Sequence, residues 1–391
     1  MFLLLRRNLG GDGVFPEMNT ENTRESAAVV IEAAQLDDLM KVLRKDGYAT
    51  IAPTARDGSI VLEEISSAAQ LPLGLVDDQQ PGAYRLSKAK KPAYFDFTHG
   101  AQSWKQFLFP VKEKLWSAHK TDAGFKVEAP IDAPKYAFIG VRSCELAAMR
   151  IQDKVFVEGE HVSNGYAQRR KQALIVAVNC RRAGGTCFCT SMDTGPKVKD
   201  GYDLALSELT RKGAHAFLLE AGSRDGQNIL KRLKGRPATS AEFKAAQKAS
   251  DKAAQSMGRE MPKGAAKTLA NNLQHPRWQD IAKRCLDCAN CTLVCPTCFC
   301  STTSDSTSLD GQNAERWRTW DSCFTLDFSY IHGGAIRRDG AERYRQWMTH
   351  KLTHWHDQFG VSGCVGCGRC ITWCPVGIDI TAEVRAIAKD K

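Results

Sequence analysis

One twelve-residue pattern occurs twice near the C-terminus: Cys285-Leu-Asp-Cys288-Ala-Asn-Cys291-Thr-Leu-Val-Cys295-Pro296, then Cys364-Val-Gly-Cys367-Gly-Arg-Cys370-Ile-Thr-Trp-Cys374-Pro375. Each copy reads C-x2-C-x2-C-x3-C-P, the thiolate spacing that holds a cubane [4Fe–4S] cluster. A cubane needs four thiolates at tetrahedral directions. The x2 steps let a tight loop wrap three corners of one cube, with turn-tolerant Asp287, Asn290, Gly366 and Gly368 between the ligands. The x3 step leaves that cube, and in two-cluster proteins the fourth cysteine ligates the other cluster. The pattern therefore assigns Cys285, Cys288, Cys291 and Cys374 to one cluster, and Cys364, Cys367, Cys370 and Cys295 to a second. Such wiring ties two segments together across the 68 residues between Cys295 and Cys364, and couples metal to fold.

The rest of the composition suits this reading. The chain has 391 residues, 43% hydrophobic and 25% charged, enough for two or three soluble domains. It contains no apolar run near the ~20 residues that cross a bilayer, and Met1-Phe-Leu-Leu-Leu-Arg-Arg is too short for a signal peptide. A cytoplasmic location is expected, where fifteen clustered cysteines read as metal ligands and not as disulfides. Of the net charge of +10, the stretch from Lys231 to Lys267 supplies seven. It reads as a solvated helical connector, or as a docking face for an acidic partner or electron carrier. It lacks the interleaved aromatics of a nucleic-acid stacking platform, so nucleic acid is not an expected partner.

Along the chain the expected class is α+β: an N-terminal mixed α/β domain with a parallel crossover unit, then a ferredoxin-like 2[4Fe–4S] dicluster domain with a long insertion. Residues 1–25 read as a flexible tail, 26–233 as the α/β domain, 234–266 as the basic connector and 267–391 as the dicluster domain. Asp37–Lys45 has helical apolar spacing, and Tyr48–Pro53 with Ser59–Ile65 reads as a hairpin. Tyr136–Val141 and Ala173–Val178 are buried strands joined through a helix at Glu145–Val155, which makes them parallel. Functional groups collect at the carboxyl ends of such strands, where Cys144 and Cys180 fall. Further strands are expected at Asp203–Leu206 and Ala216–Leu219, with helices from Gln227 and from Thr239, the latter with Glu242 near its N3 position. The insertion ends in an expected helix, Ala341–His356.

Cys144, Cys180, Cys187 and Cys189 form another set of four. They suit a third [4Fe–4S] cluster, a tetrahedral four-thiolate zinc site, or buried packing, and the residues alone leave these open. Cys298, Cys300 and Cys323 are only three, and read as packing or hydrogen-bonding thiols beside the first cluster. Cys291, Cys295 and Cys298 also match the C-x3-C-x2-C spacing of radical-SAM enzymes, a coincidence given the fuller motif through the same residues. His350 and His354 stand at i, i+4 with His356 nearby, but no glutamate completes a zincin motif. Arg369 beside the second cluster and Asp287 beside the first would make the second easier to reduce if neither charge is neutralised. No G-x-G-x-x-G follows a strand and no P-loop is present, so neither nicotinamide nor ATP has an evident site. The chain reads as a carrier of electrons whose catalytic ends lie on partner subunits.

Gly140-Val-Arg-Ser-Cys144, Asn179-Cys180, Thr186-Cys-Phe-Cys-Thr-Ser-Met, Thr194-Gly-Pro196, the first cluster run extended to Cys300, Trp320-Asp-Ser-Cys-Phe324 and Val365–Asp379 together resemble one family. It is the iron–sulfur beta subunit of cytoplasmic nickel–iron (sulf)hydrogenases, similar to the A subunit of anaerobic sulfite reductase. The resemblance runs from about residue 30 to the end. It implies a heteromeric complex in which a flavin subunit exchanges electrons with NAD(P)H and this chain relays them. At the other end would sit hydrogenase small and large subunits, or a sulfite-reducing subunit. The eight dicluster cysteines carry over by position. Arg142-Ser-Cys-Glu145 departs from the Arg-Pro-Cys-Asp of relatives but keeps Cys144.

Overall fold

The computed structural model describes residues 28–129, 131–211 and 214–389. The expected tail at 1–25 lies outside the described residues. In chain order the strands are β1 (Ala28–Glu32), β2 (Ala49–Arg56), β3 (Ser59–Glu64), β4 (Leu75–Gln80), β5 (Ala83–Lys88), β6 (Lys112–Thr121) and β7 (Gly124–Glu128). They continue with β8 (Tyr136–Val141), β9 (Leu174–Val178), β10 (Leu204–Arg211), β11 (Ala214–Ala221), β12 (Arg236–Pro237), β13 (Ser301–Thr307) and β14 (Asn313–Trp320).

An eight-stranded sheet runs β12-β1-β11-β10-β9-β8-β2-β3. Its centre, β2-β8-β9-β10, is parallel, and its flanks are antiparallel. Central strands covered on both faces read as unbroken apolar runs, which is why Tyr136–Val141 and Leu174–Val178 are legible at once. Alternate side chains feed two cores. Ala137, Ile139, Val176 and Leu206 join the helix Leu36–Lys45 on one face. Phe138, Val141, Ile175 and Ala205 join Leu146, Met149 and Phe156 of the helix Ser143–Phe156 on the other.

The expected hairpin, crossover and helices are present, with Thr239 capping the helix Ser240–Gln255 through Glu242. That helix is no free connector. Ala246 is buried against Val30, Leu209 and Leu218, so part of the basic segment lies against the sheet. Alanine at such a seam gives too weak an apolar signal to read from sequence.

The insertion also reaches farther than its position suggests. Its hairpin β13-β14 pairs through β14 with β6, giving a four-stranded sheet β13-β14-β6-β7. Trp320 donates to the Phe109 carbonyl, and Lys105 stands over the Trp320 ring at 3.7 Å. One sheet thus joins residues that the sequence reading had divided between two domains. The final region has its own core of Trp278, Ile281, Phe324, Tyr344, Trp347, Met348, Ile371 and Val384. No helix among the described residues is long and apolar enough to cross a membrane.

Candidate metal centres

The two cysteine loops share one backbone conformation. Asp287 and Ala289 follow Cys285 with φ of 50° and 65°, and Gly366 and Gly368 follow Cys364 with φ of 66° and 78°. Each loop then enters a short helix, Asn290–Leu293 or Arg369–Thr372. Left-handed residues turn the chain tightly enough to aim successive side chains at one point, and they direct backbone N–H groups inward. The Asp287 N–H lies 3.4 Å from the Cys285 sulfur, that of Gly366 3.5 Å from Cys364, and that of Ile378 3.3 Å from Cys374.

A pocket between the loops is lined by Cys285, Cys288, Cys291 and Cys374, together with Cys370 and the apolar Phe324, Tyr344 and Ile378. Burial, then the nearby Cys285, Cys374 and Cys288 thiolates, push the Cys291 thiol well up. The second set meets likewise. Burial, then Cys364, Cys367 and Cys295, push up the thiol of Cys370. So the structure brings Cys374 back to the first loop and Cys295 to the second. Four crowded thiolates repel one another, and such a donor set fits a cationic metal–sulfide core that neutralises them.

Cys144, Cys180, Cys187 and Cys189 also converge. Burial raises the Cys144 thiol well above its ordinary value, and Cys189, Cys367 and Cys180 raise it further. For Cys189, pushed up chiefly by burial, the neighbours are Cys187, Cys180 and Cys367. Cys144 opens the helix after β8 and Cys180 follows β9, so they share the expected rim. The Thr186–Cys189 loop is pressed against the second cysteine loop. Phe188 donates to the Gly366 carbonyl at 2.9 Å, and a Cβ on Gly368 would meet the Thr186 oxygen at 2.4 Å. Among the described residues no three His, Cys, Asp or Glu come close enough to hold a single metal ion. A cubane, which spreads its thiolates over four irons, asks for a wider arrangement than zinc.

Charge around the centres differs from expectation. Asp287 pairs with Arg343 at 2.6 Å, and Arg369 pairs with Glu145 at 2.5 Å. Both charges are neutralised, so the condition on which the second cluster was expected to be easier to reduce is not met. One cation near the centres, Lys351, is not flagged by the sequence. Buried Lys351 reaches the Cys295 sulfur at 3.3 Å, Thr297 Oγ1 at 3.0 Å and the Gly363 carbonyl at 3.0 Å. Burial opposes its charge, yet the Cys295, Cys298 and Cys364 thiolates hold its pKa well above the ordinary lysine value. Lys351 lies in a π-helical turn, His350–His354, which breaks the expected straight helix. Such turns are frequent at functional sites. A second lysine, Lys105, donates to the Cys298 carbonyl at 3.0 Å, and burial lowers its pKa to about 8.

The remaining thiols pair off. The neighbouring Cys298, opposed by burial and helped by Lys351 and Thr297, holds Cys295 well below the usual thiol range. Cys300 and Cys323 line one cleft, where each thiol shifts the other's pKa. Of the histidines, His350 meets Gln358 at 3.2 Å, and burial lowers its pKa.

Residues 284–378 match the family model described as a 4Fe-4S dicluster domain. Fold and site together define an iron–sulfur protein of the dicluster class, with two [4Fe–4S] clusters and a role in electron transfer. The chain is 30% identical over 297 residues to sulfhydrogenase 2 subunit beta of Pyrococcus furiosus, covering 74% of its own length and 85% of that relative. It belongs to the family of sulfhydrogenase beta subunits.

Proposed function

We propose that this chain is the electron-relay subunit of a heteromeric hydrogenase-type complex, passing single electrons between a flavin/NAD(P)-linked subunit and a hydrogenase-type catalytic subunit. Cys285, Cys288, Cys291 and Cys374 would hold one [4Fe–4S] cluster, and Cys364, Cys367, Cys370 and Cys295 a second. Cys144, Cys180, Cys187 and Cys189 would hold a third. The clusters, when bound, supply one-electron redox chemistry; the protein sets their spacing, potential and access to water.

The observation that supports this proposal is that Cys374 lines the pocket of Cys285, Cys288 and Cys291, while Cys295 neighbours Cys370. A line of centres follows from the proposed ligands. Cys367 neighbours the third set, and Cys370 neighbours Cys291. The third set is largely buried, whereas Cys288 is exposed beside Leu286 and Val376, which are 62% and 39% exposed. Electrons would leave or enter there, on an apolar edge suited to a partner. The relative's designation as a sulfhydrogenase subunit favours a hydrogenase-type partner over a sulfite-reducing one.

The test is Cys295→Ser in anaerobically purified protein. It should damage the cluster held by Cys364, Cys367 and Cys370 and spare the nearby one; loss of the nearby cluster alone overturns the wiring. Iron analysis tests the third site: about twelve irons per chain supports it and about eight removes it. Purification of the native complex should co-elute a flavoprotein and hydrogenase subunits.

A further inference from the structure

Three cysteines remain unassigned, and two of them open onto solvent. Cys300 precedes β13 and Cys323 follows β14, so the hairpin register of Ser301 opposite Trp320 brings the two thiols together at its open end. The Asp321 N–H donates to the Cys300 carbonyl at 2.9 Å and fixes the approach. Both thiols line an open cleft of about 620 Å³, with Phe299, Arg337, Gln346 and His350 around them.

Their spacing separates them from the cluster sets. Thiols of the three sets face one another at charge–charge range, as corners of a cube require, whereas Cys300 and Cys323 stand as an isolated pair at the end of one hairpin and line one cleft. Two sulfurs so placed need only small side-chain rotations to bond. Arg337 lines the same cleft with a buried Nε that has no hydrogen-bond partner, a donor suited to an anion.

We propose that Cys300 and Cys323 form a redox-active dithiol that reduces small anionic organic disulfides bound in this cleft, with Arg337 holding the anionic group.

The Cys300 sulfur attacks the substrate S–S bond, forming a mixed disulfide and releasing one substrate thiolate. Cys323 then loses its proton and attacks the Cys300 sulfur, closing the Cys300–Cys323 disulfide and releasing the second thiolate. The two protons given up by the cysteines end on the two product thiols. Two electrons and two protons restore the dithiol. For those electrons the step rests on the relay proposed above: reduced clusters would supply them one at a time, and Cys323 neighbours Cys291 of the first set. The roles are unequal. The neighbouring Cys323, opposed by burial and aided by Lys351 and Lys105, lowers the Cys300 thiol below its ordinary value. Cys323 is raised by Cys300 and by burial. A thiol with pKa near ambient pH is the better attacking group.

The experiment uses the full chain with its metal intact, reduced and anaerobic. Exposed to dithiodipropionate without an electron donor, it should release two thiols per chain and yield a Cys300–Cys323 cross-linked peptide by mass spectrometry. With reduced methyl viologen it should turn over. Cys300→Ser and Cys323→Ser should abolish turnover while the iron content stays unchanged. Arg337→Met should erase an at least tenfold preference for dithiodipropionate over neutral bis(2-hydroxyethyl) disulfide. Absence of the cross-link, full turnover in Cys300→Ser, or a loss of about four irons in either cysteine variant overturns the proposal. The stoichiometric exchange needs no relay, so its failure is distinguishable from a failure of electron transfer.

Discussion

The ammonium of Lys351 stands 3.3 Å from the sulfur of Cys295, deep in the protein and bracketed by Thr297 and the Gly363 carbonyl. A positive charge so near this sulfur favours the more negative, reduced state of the cluster that Cys295 is proposed to hold.

Lys351→Met should therefore make the cluster that includes Cys295 harder to reduce. A charge-assisted hydrogen bond contributes about 1.5–3 kcal/mol. At about 59 mV per tenfold change for one electron, that is a shift of about 60–130 mV to more negative potential. EPR-monitored redox titration of both clusters checks it. Equal shifts in the two, or none, would remove Lys351 as the source of asymmetry.

Glu145 should act with the opposite sign. It neutralises buried Arg369 at 2.5 Å and accepts from Trp104 Nε1 at 2.9 Å. Glu145→Gln keeps the shape and frees the guanidinium charge, so the potential of the Cys364 cluster should rise. Glu145→Ala also strands a buried charge and should cost about 3–5 kcal/mol of stability. Anaerobic denaturation separates the two effects.

Gly368→Ala should detach the third cysteine set. Its Cβ would sit 2.4 Å from the Thr186 oxygen at a φ of 78°. Left-handed strain and overpacking together amount to about 2–4 kcal/mol. The expected result is protease sensitivity near Thr186–Cys189 and, on the proposed third cluster, a loss of about four irons with the dicluster signals retained. An unaltered digest would refute it.

Glu242 gives a pH-dependent contribution. Its hydrogen bond to Arg236, opposed by burial and helped by Thr239, lowers its pKa from 4.5 to about 2. The folded-state pKa is depressed, so the stabilisation is complete above about 4.5 and disappears as pH falls towards 2. Because the Arg236 side chain is about half exposed, solvent screening keeps the contribution small. Wild type and Glu242→Gln should differ in melting temperature at pH 6 and converge at low pH.

What could be read beforehand was whatever short-range spacing encodes. The cysteine runs carry their own geometry, and apolar runs bracketing one helix specify a parallel crossover, which put Cys144 and Cys180 on one rim. What escaped notice depends on distant partners. Nothing near Arg369 announces Glu145, 224 residues away, nor does Asp287 announce Arg343. Lys351 looks like any helical lysine until a π-helical turn and the fold bring it beside Cys295. Strand β14 is polar and its partner β6 lies before the whole crossover unit, so no local pattern pairs them.

The interleaving of the two loops sets a timetable for synthesis. The ribosome delivers Cys374 only 83 residues after Cys291. At about 5–20 residues per second that is an interval of roughly 4–17 s. On the proposed wiring, the emerging polypeptide carries three bare thiols through that interval, and the first cube cannot be finished before Cys374 emerges. Iron delivery to the first cysteine run then waits on distant chain, and a product truncated before Cys374 would never complete that cube, however intact the run itself.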